Sequence, residues 1–185
     1  MSKWRIYLLG FITLVGFPIP AFLWLNYVEN WDIATFLQLE KLQLEPILFG
    51  LQAGFIYAAF AVVLLSSDFL KDERTNQSKL LKKLNLNAFD MIFLSICAGV
   101  GEELLFRIGI QFYLGPIITT LIFVGLHGYY SLKNWAINVY GILITPFILI
   151  LAYGLDTFGL WFCIAAHTMY DVVLFFTYAK KVAPK

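Results

Sequence analysis

Glu102, Glu103 and Arg107 stand in the stretch GVGEELLFRIGI, residues 99 to 110, whose other members are apolar or glycine. An ionisable side chain in such a run costs about 2.5–3.5 kcal/mol on membrane-insertion scales, and it belongs in a bundle interior or a wet cavity. Glu103 and Arg107 are spaced i, i+4 with the acid first, the favourable order for an ion pair on one helix face. Glu102 is rotated about 100° from Glu103 and about 140° from Arg107. It has no partner on its own helix and should face groups from elsewhere. The chain has two histidines, His127 in FVGLH and His167 in AAHTMYD, and both fall in apolar segments. Asp171 follows His167 at i+4, on the same helix face.

Glu, His, His and Asp drawn from three helices can do several things. A glutamate with a histidine can take a proton from water and make it a nucleophile. A histidine with a second polar donor can stabilise an oxyanion. Glu102, His127 and His167 are also a possible ligand set for a catalytic zinc, although no HExxH is present and nothing in the spacing selects metal. A midplane acid would suit a proton carrier too, but no inverted repeat or pair of broken helices is visible.

The elements that must carry these groups are membrane spans. Of 185 residues, 61% are hydrophobic and 14% charged, and the mean hydropathy is +0.79. That leaves too little polar sequence to cover a soluble domain. A net charge of +1 gives no reason to expect a nucleic-acid partner. Cys97 and Cys163 lie inside apolar runs and form no disulfide or zinc framework. The expected architecture is an all-α integral membrane bundle of about six helices, over 6–28, 47–67, 88–113, 116–132, 137–155 and 157–178. The first is an uncleaved span kinked at Pro18 and Pro20. Residues 29–46 suit an amphipathic interfacial segment. Gly115-Pro116 makes a tight turn, and GLDTFG (154–159) another, with Asp156 or Thr157 as helix cap. The whole chain reads as a single membrane domain, with N-terminal helices to about 67, a polar loop at about 68–87 and the polar groups in a core at about 88–178.

Every Lys and Arg except Lys41 and Arg107 falls on one side of such a six-span order. Positive charge marks the cytoplasmic face, so both termini are expected there. Counted from the outer ends of their spans, Glu102, His127 and His167 all lie roughly 15–17 Å deep, close to the midplane.

These motifs resemble those of the CAAX prenyl protease and bacteriocin-processing family, membrane-embedded glutamic endopeptidases. EELLFR (102–107) is similar to its EExxxR, FVGLH (123–127) to its FxxxH, and HTMYD (167–171) to its histidine followed at i+4 by Asn or Asp. The three occur in the family's order, each on its own span, over about the last half of the chain. The resemblance implies hydrolysis of a peptide bond within the membrane, without an obligatory cofactor. Glu102 would activate water with help from His127. His167 and Asp171 would line the oxyanion hole, and Glu103 and Arg107 would support the site. Where the best-understood members carry Asn, this chain has Asp171, which could instead orient His167. The substrate would be a membrane-anchored protein or peptide, with a CAAX-like or other C-terminal tail or of bacteriocin-precursor type, and the expected location is a bacterial plasma membrane. A membrane immunity or interaction protein on the same scaffold is the non-enzymatic alternative.

Overall fold

The computed structural model describes residues 3–67, 84–132 and 135–180, and among them every regular element is helical. Most of the polar loop expected at 68–87 lies outside the described residues. Five helices are long and apolar enough to cross a membrane: α1 (Lys3–Glu29), α3 (Leu44–Leu65), α4 (Ala88–Leu126), α5 (Trp135–Phe158) and α6 (Leu160–Lys180). A short α2 (Ile33–Phe36) and a 3₁₀ turn (Leu39–Lys41) follow α1. The chain is a multi-pass helical membrane protein.

The third and fourth expected spans form one element, α4, of 39 residues. Straight, it would run about 58 Å, roughly twice the thickness of a hydrocarbon core. It is not straight. Gly115 has φ 73° and ψ 172°, a backbone that breaks the helix, and Pro116 next to it has no N–H to continue the ladder. The rings of Phe106 and Phe123 sit 4.8 Å apart across this break, whereas 17 residues of unbroken helix would separate them by about 25 Å. The element is therefore a hairpin of two arms, 88–114 and 116–126. The returning arm is shorter than the 116–132 expected for it, about 16 Å. It stops at His127, and Gly128, at φ 75°, turns the chain out of the helix. Beyond that turn, Ser131 and Asn138 exchange two hydrogen bonds of 2.6 and 2.7 Å, which tie the connection to the start of α5.

Helix directions follow from side-chain contacts. Tyr7 packs on Phe93 and Trp31 on Phe112, so α1 runs parallel to the first arm of α4. Gly50 faces Phe162 and Gly54 faces Ala166, so α3 and α6 are parallel. Gly154 meets Phe162 and Phe147 meets Tyr170, so α5 runs against α6. The order alternates as six passages would, with the fourth only partial.

The α3–α6 seam explains GLQAG (50–54) within a lipid-soluble helix. Hydrophobicity does not drive helices together in lipid, so small residues that permit close backbone approach do. A Cβ on Gly54 would come within 2.1 Å of the Ala166 carbonyl oxygen. Gly54→Val must push α6 away, and the expected destabilisation exceeds the about 1–3 kcal/mol of ordinary overpacking. A fall in the thermal midpoint in detergent would register it.

Two local devices fix the ends. At one, Lys3 Nζ pairs with Asp90 at 2.7 Å, Tyr7 also hydrogen-bonds Asp90, and Asn87 and Asp90 form a capping box at the start of α4. At the other, Asp32 caps α2 by accepting from the Thr35 N–H at 2.7 Å, which holds its carboxyl below the usual range. The segment expected to lie at the interface is docked rather than loose. Phe36 is buried with Leu25, Leu104 and Leu160, and Gln38 Oε1 accepts from the Leu160 N–H at 2.8 Å. That bond caps α6. Asp156 and Thr157, proposed as caps from sequence, instead lie in the last turn of α5.

Candidate active site

Glu102 and Glu103 end the α-helical part of the first arm, and Leu104–Ile110 continues it as π-helical turns. Such wider turns occur mostly as short insertions, frequently at functional sites. Here the segment aligns residues four apart into a buried ladder. Arg107 Nε donates to Glu103 Oε2 at 2.9 Å, and Arg107 Nη1 donates to Gln111 Oε1 at 3.0 Å. Gln111 Nε2 in turn donates to the Ala152 carbonyl of α5 at 2.7 Å. The Glu103 and Arg107 side chains are wholly buried. The ion pair read from the i, i+4 spacing is present, and the guanidinium also lies over the Phe123 ring.

Glu103 does more than neutralise Arg107. Its other oxygen, Oε1, accepts from His167 Nδ1 at 2.7 Å. One carboxylate thus joins the first arm of α4 to α6 and fixes the orientation of the His167 ring. Nε2 is the ring nitrogen left for other partners, and its distance to Asp171 Oδ2 is 3.7 Å, too long for a direct hydrogen bond. Glu103, rather than Asp171, orients the ring.

Glu102 finds its counterpart on the other arm of the hairpin. Its Oε2 lies 3.3 Å from His127 Nε2, within ion-pair distance, and among the described residues this buried oxygen accepts no hydrogen bond. His127 Nδ1 is engaged by the Phe123 carbonyl at 2.8 Å, which must accept from it. The proton therefore resides on Nδ1, and in a neutral ring Nε2 is free to accept one. Phe123 stacks on the His127 ring at 4.2 Å between centroids, and Tyr129 lies against the ring's environment at 5.9 Å. Helix termination at His127 matters here, because it places the imidazole at the end of a half-length arm rather than along a continuous wall.

Glu102, His127, His167 and Asp171 all line one cavity of about 280 Å³. Its remaining walls are apolar and aromatic, with Tyr140, Phe147 and Tyr170 among them. Glu103 and Arg107 do not line it. The four residues singled out from sequence as catalytic are brought together, and the two assigned to support stand behind them. Gln111 and Tyr129 were missed. Gln111 continues the 103, 107 spacing by one more step of four, a signal that was available; Tyr129 lies beyond the helix end and had none. Among the described residues, no three His, Cys, Asp or Glu side chains converge as metal ligands.

Residues 84–173 match the type II CAAX prenyl endopeptidase family, Rce1-like. This bears out the resemblance carried by the three motifs. The Rce1-like stretch includes both arms of the hairpin, all of α5 and α6 as far as residue 173, and therefore Glu102, His127, His167 and Asp171. No curated protein and no solved structure matches the chain.

Proposed function

We propose that the chain is an intramembrane endopeptidase in which Glu102 and His127 activate the attacking water and His167 receives the oxyanion. The observation that carries this reading is the meeting of Glu102 and His127 from opposite arms of one hairpin, on the wall of a cavity that also contains His167. A water between Glu102 and His127 Nε2 gives up a proton as its oxygen adds to the scissile carbonyl. The carbonyl electrons move to oxygen, and His167, when Nε2 carries a proton, donates to that oxyanion. Collapse of the tetrahedral intermediate expels the amine, which takes the proton held by the Glu–His pair. Preorganised donors of this kind contribute most where water is excluded, and the aromatic walls supply that exclusion. Glu103 holds Nδ1 and so keeps Nε2 turned to the cavity.

The apolar walls favour a substrate that presents hydrophobic residues from the membrane, such as the C-terminal tail of an anchored protein or a bacteriocin-type precursor. Both termini and the cavity mouth are assigned to the cytoplasmic face on the distribution of Lys and Arg. No resident cofactor takes part.

Asp171 offers a further check. As a carboxylate it repels a developing oxyanion, whereas asparagine could donate to it. Asp171→Asn is expected to retain or raise kcat, while Asp171→Ala lowers it; steady-state kinetics distinguish the two. The reading as a whole is tested by incubating purified protein in nanodiscs with a quenched fluorescent library of apolar-tailed peptides and a strong chelator. Turnover is expected, unchanged by the chelator. Activity lost to the chelator and restored by zinc would favour the metal alternative. No turnover from folded protein would favour the scaffold alternative.

A further inference from the structure

A second cavity, of about 400 Å³, lies at the other end of the bundle, where the connection after α1, the 3₁₀ turn, the α4 hairpin bend and the end of α5 meet. Arg107 lines this cavity and not the catalytic one. Two of its nitrogens are committed, Nε to Glu103 and Nη1 to Gln111. Nη2 is buried and has no acceptor among the described residues. A guanidinium always carries its charge and its five donors, and leaving one unsatisfied in the interior is costly. Lys41 supplies a second cation to the same walls, Trp31 and Phe112 form an aromatic side, and Asp156 is the acid among the lining residues.

We propose that this cavity binds a phosphate-bearing group, with Arg107 Nη2 and Lys41 as its donors. Three features point that way. The unfilled donor belongs to the side chain best suited to oxyanions. The volume is larger than a carboxylate needs. The cavity lies at the span ends, the level at which lipid headgroups sit, so the phosphate comes from a headgroup or from solution. Asp156 sets the charge balance: Arg107 is paired with Glu103 and the lining carries one further cation, Lys41, and one acid, Asp156, so the site suits a singly charged phosphate ester better than a dianion.

Thermal unfolding of the full chain in a phosphate-free maltoside detergent tests this by binding alone, independently of proteolysis. One arm receives inorganic phosphate, another phosphatidylglycerol in mixed micelles, and a control receives chloride at matched ionic strength. At about ten times Kd, a specific ligand is expected to raise Tm by about 3–6 °C. Lys41→Gln should weaken the effect about tenfold in concentration, and Asp156→Asn should strengthen it, which keeps the test open should the lysine variant fold poorly. A shift with the lipid alone assigns the site to a headgroup, and a shift with inorganic phosphate assigns it to free phosphate; both support the site. No shift beyond chloride in either arm overturns the proposal, as does a shift that Lys41→Gln and Asp156→Asn leave unchanged.

Discussion

Glu102→Gln is expected to lower kcat by about 10²–10⁴-fold, the range supplied by a positioned general base, while the protein remains folded and inserted. The amide has nearly the shape of the carboxylate but cannot take a proton from water. The Glu102 side chain retains 15% exposure and its Oε2 accepts no hydrogen bond among the described residues, so the substitution leaves no buried charge without its partner. A thermal midpoint within a few degrees of wild type, alongside lost turnover, is the expected pair of results. His127→Gln should show a smaller loss, because Glu102 remains. Turnover by Glu102→Gln at the wild-type rate would remove Glu102 from the chemistry.

The second large effect is on stability. Glu103→Leu leaves Arg107 as a wholly buried cation without its carboxylate, and it deprives His167 Nδ1 of its acceptor. Breaking one side of a buried pair costs about 3–5 kcal/mol, a large share of the about 5–15 kcal/mol that holds a typical fold. The protein should express poorly and unfold early. Glu103→Leu combined with Arg107→Met removes both charges, and replacing a buried pair by apolar groups is often close to neutral. The double variant should regain most of the lost stability, yet stay impaired in kcat, because His167 is no longer held. Comparing thermal midpoints of the single and double variants measures the first statement, and kcat of the double variant measures the second. Equal instability in both would mean that packing, not charge pairing, fixes this helix.

Much of this arrangement is legible in the sequence because lipid makes polar residues conspicuous. Glu103 and Arg107 follow from helical spacing and the cost of isolated charge. The same spacing denies Glu102 a partner on its own helix and sends it to another. Gly115-Pro116 marks the hairpin bend by its backbone chemistry. What the sequence conceals is tertiary. Nothing local indicates that Glu103 divides its two oxygens between Arg107 and His167, or that Asp171 stops short of the ring. The returning arm is shorter than its hydropathy suggests because Gly128, Tyr129 and Tyr130 do not lower the hydropathy enough to end a span, whereas the left-handed turn at Gly128 does end the helix. The cap of α6 comes from Gln38, 122 residues away in the chain, and no spacing rule reaches that far.

The central claim is that Glu102 activates water for attack on a peptide bond. The most direct measurement is cleavage in ¹⁸O-labelled water of a substrate found in the library screen, followed by mass spectrometry of the new C-terminus. Wild type and Glu102→Gln would be run in identical nanodiscs with chelator present. The expected result is prompt ¹⁸O incorporation into the product carboxylate by wild type, with incorporation by Glu102→Gln at least about a hundredfold slower. Labelled product appearing at the same rate from both proteins would contradict the account.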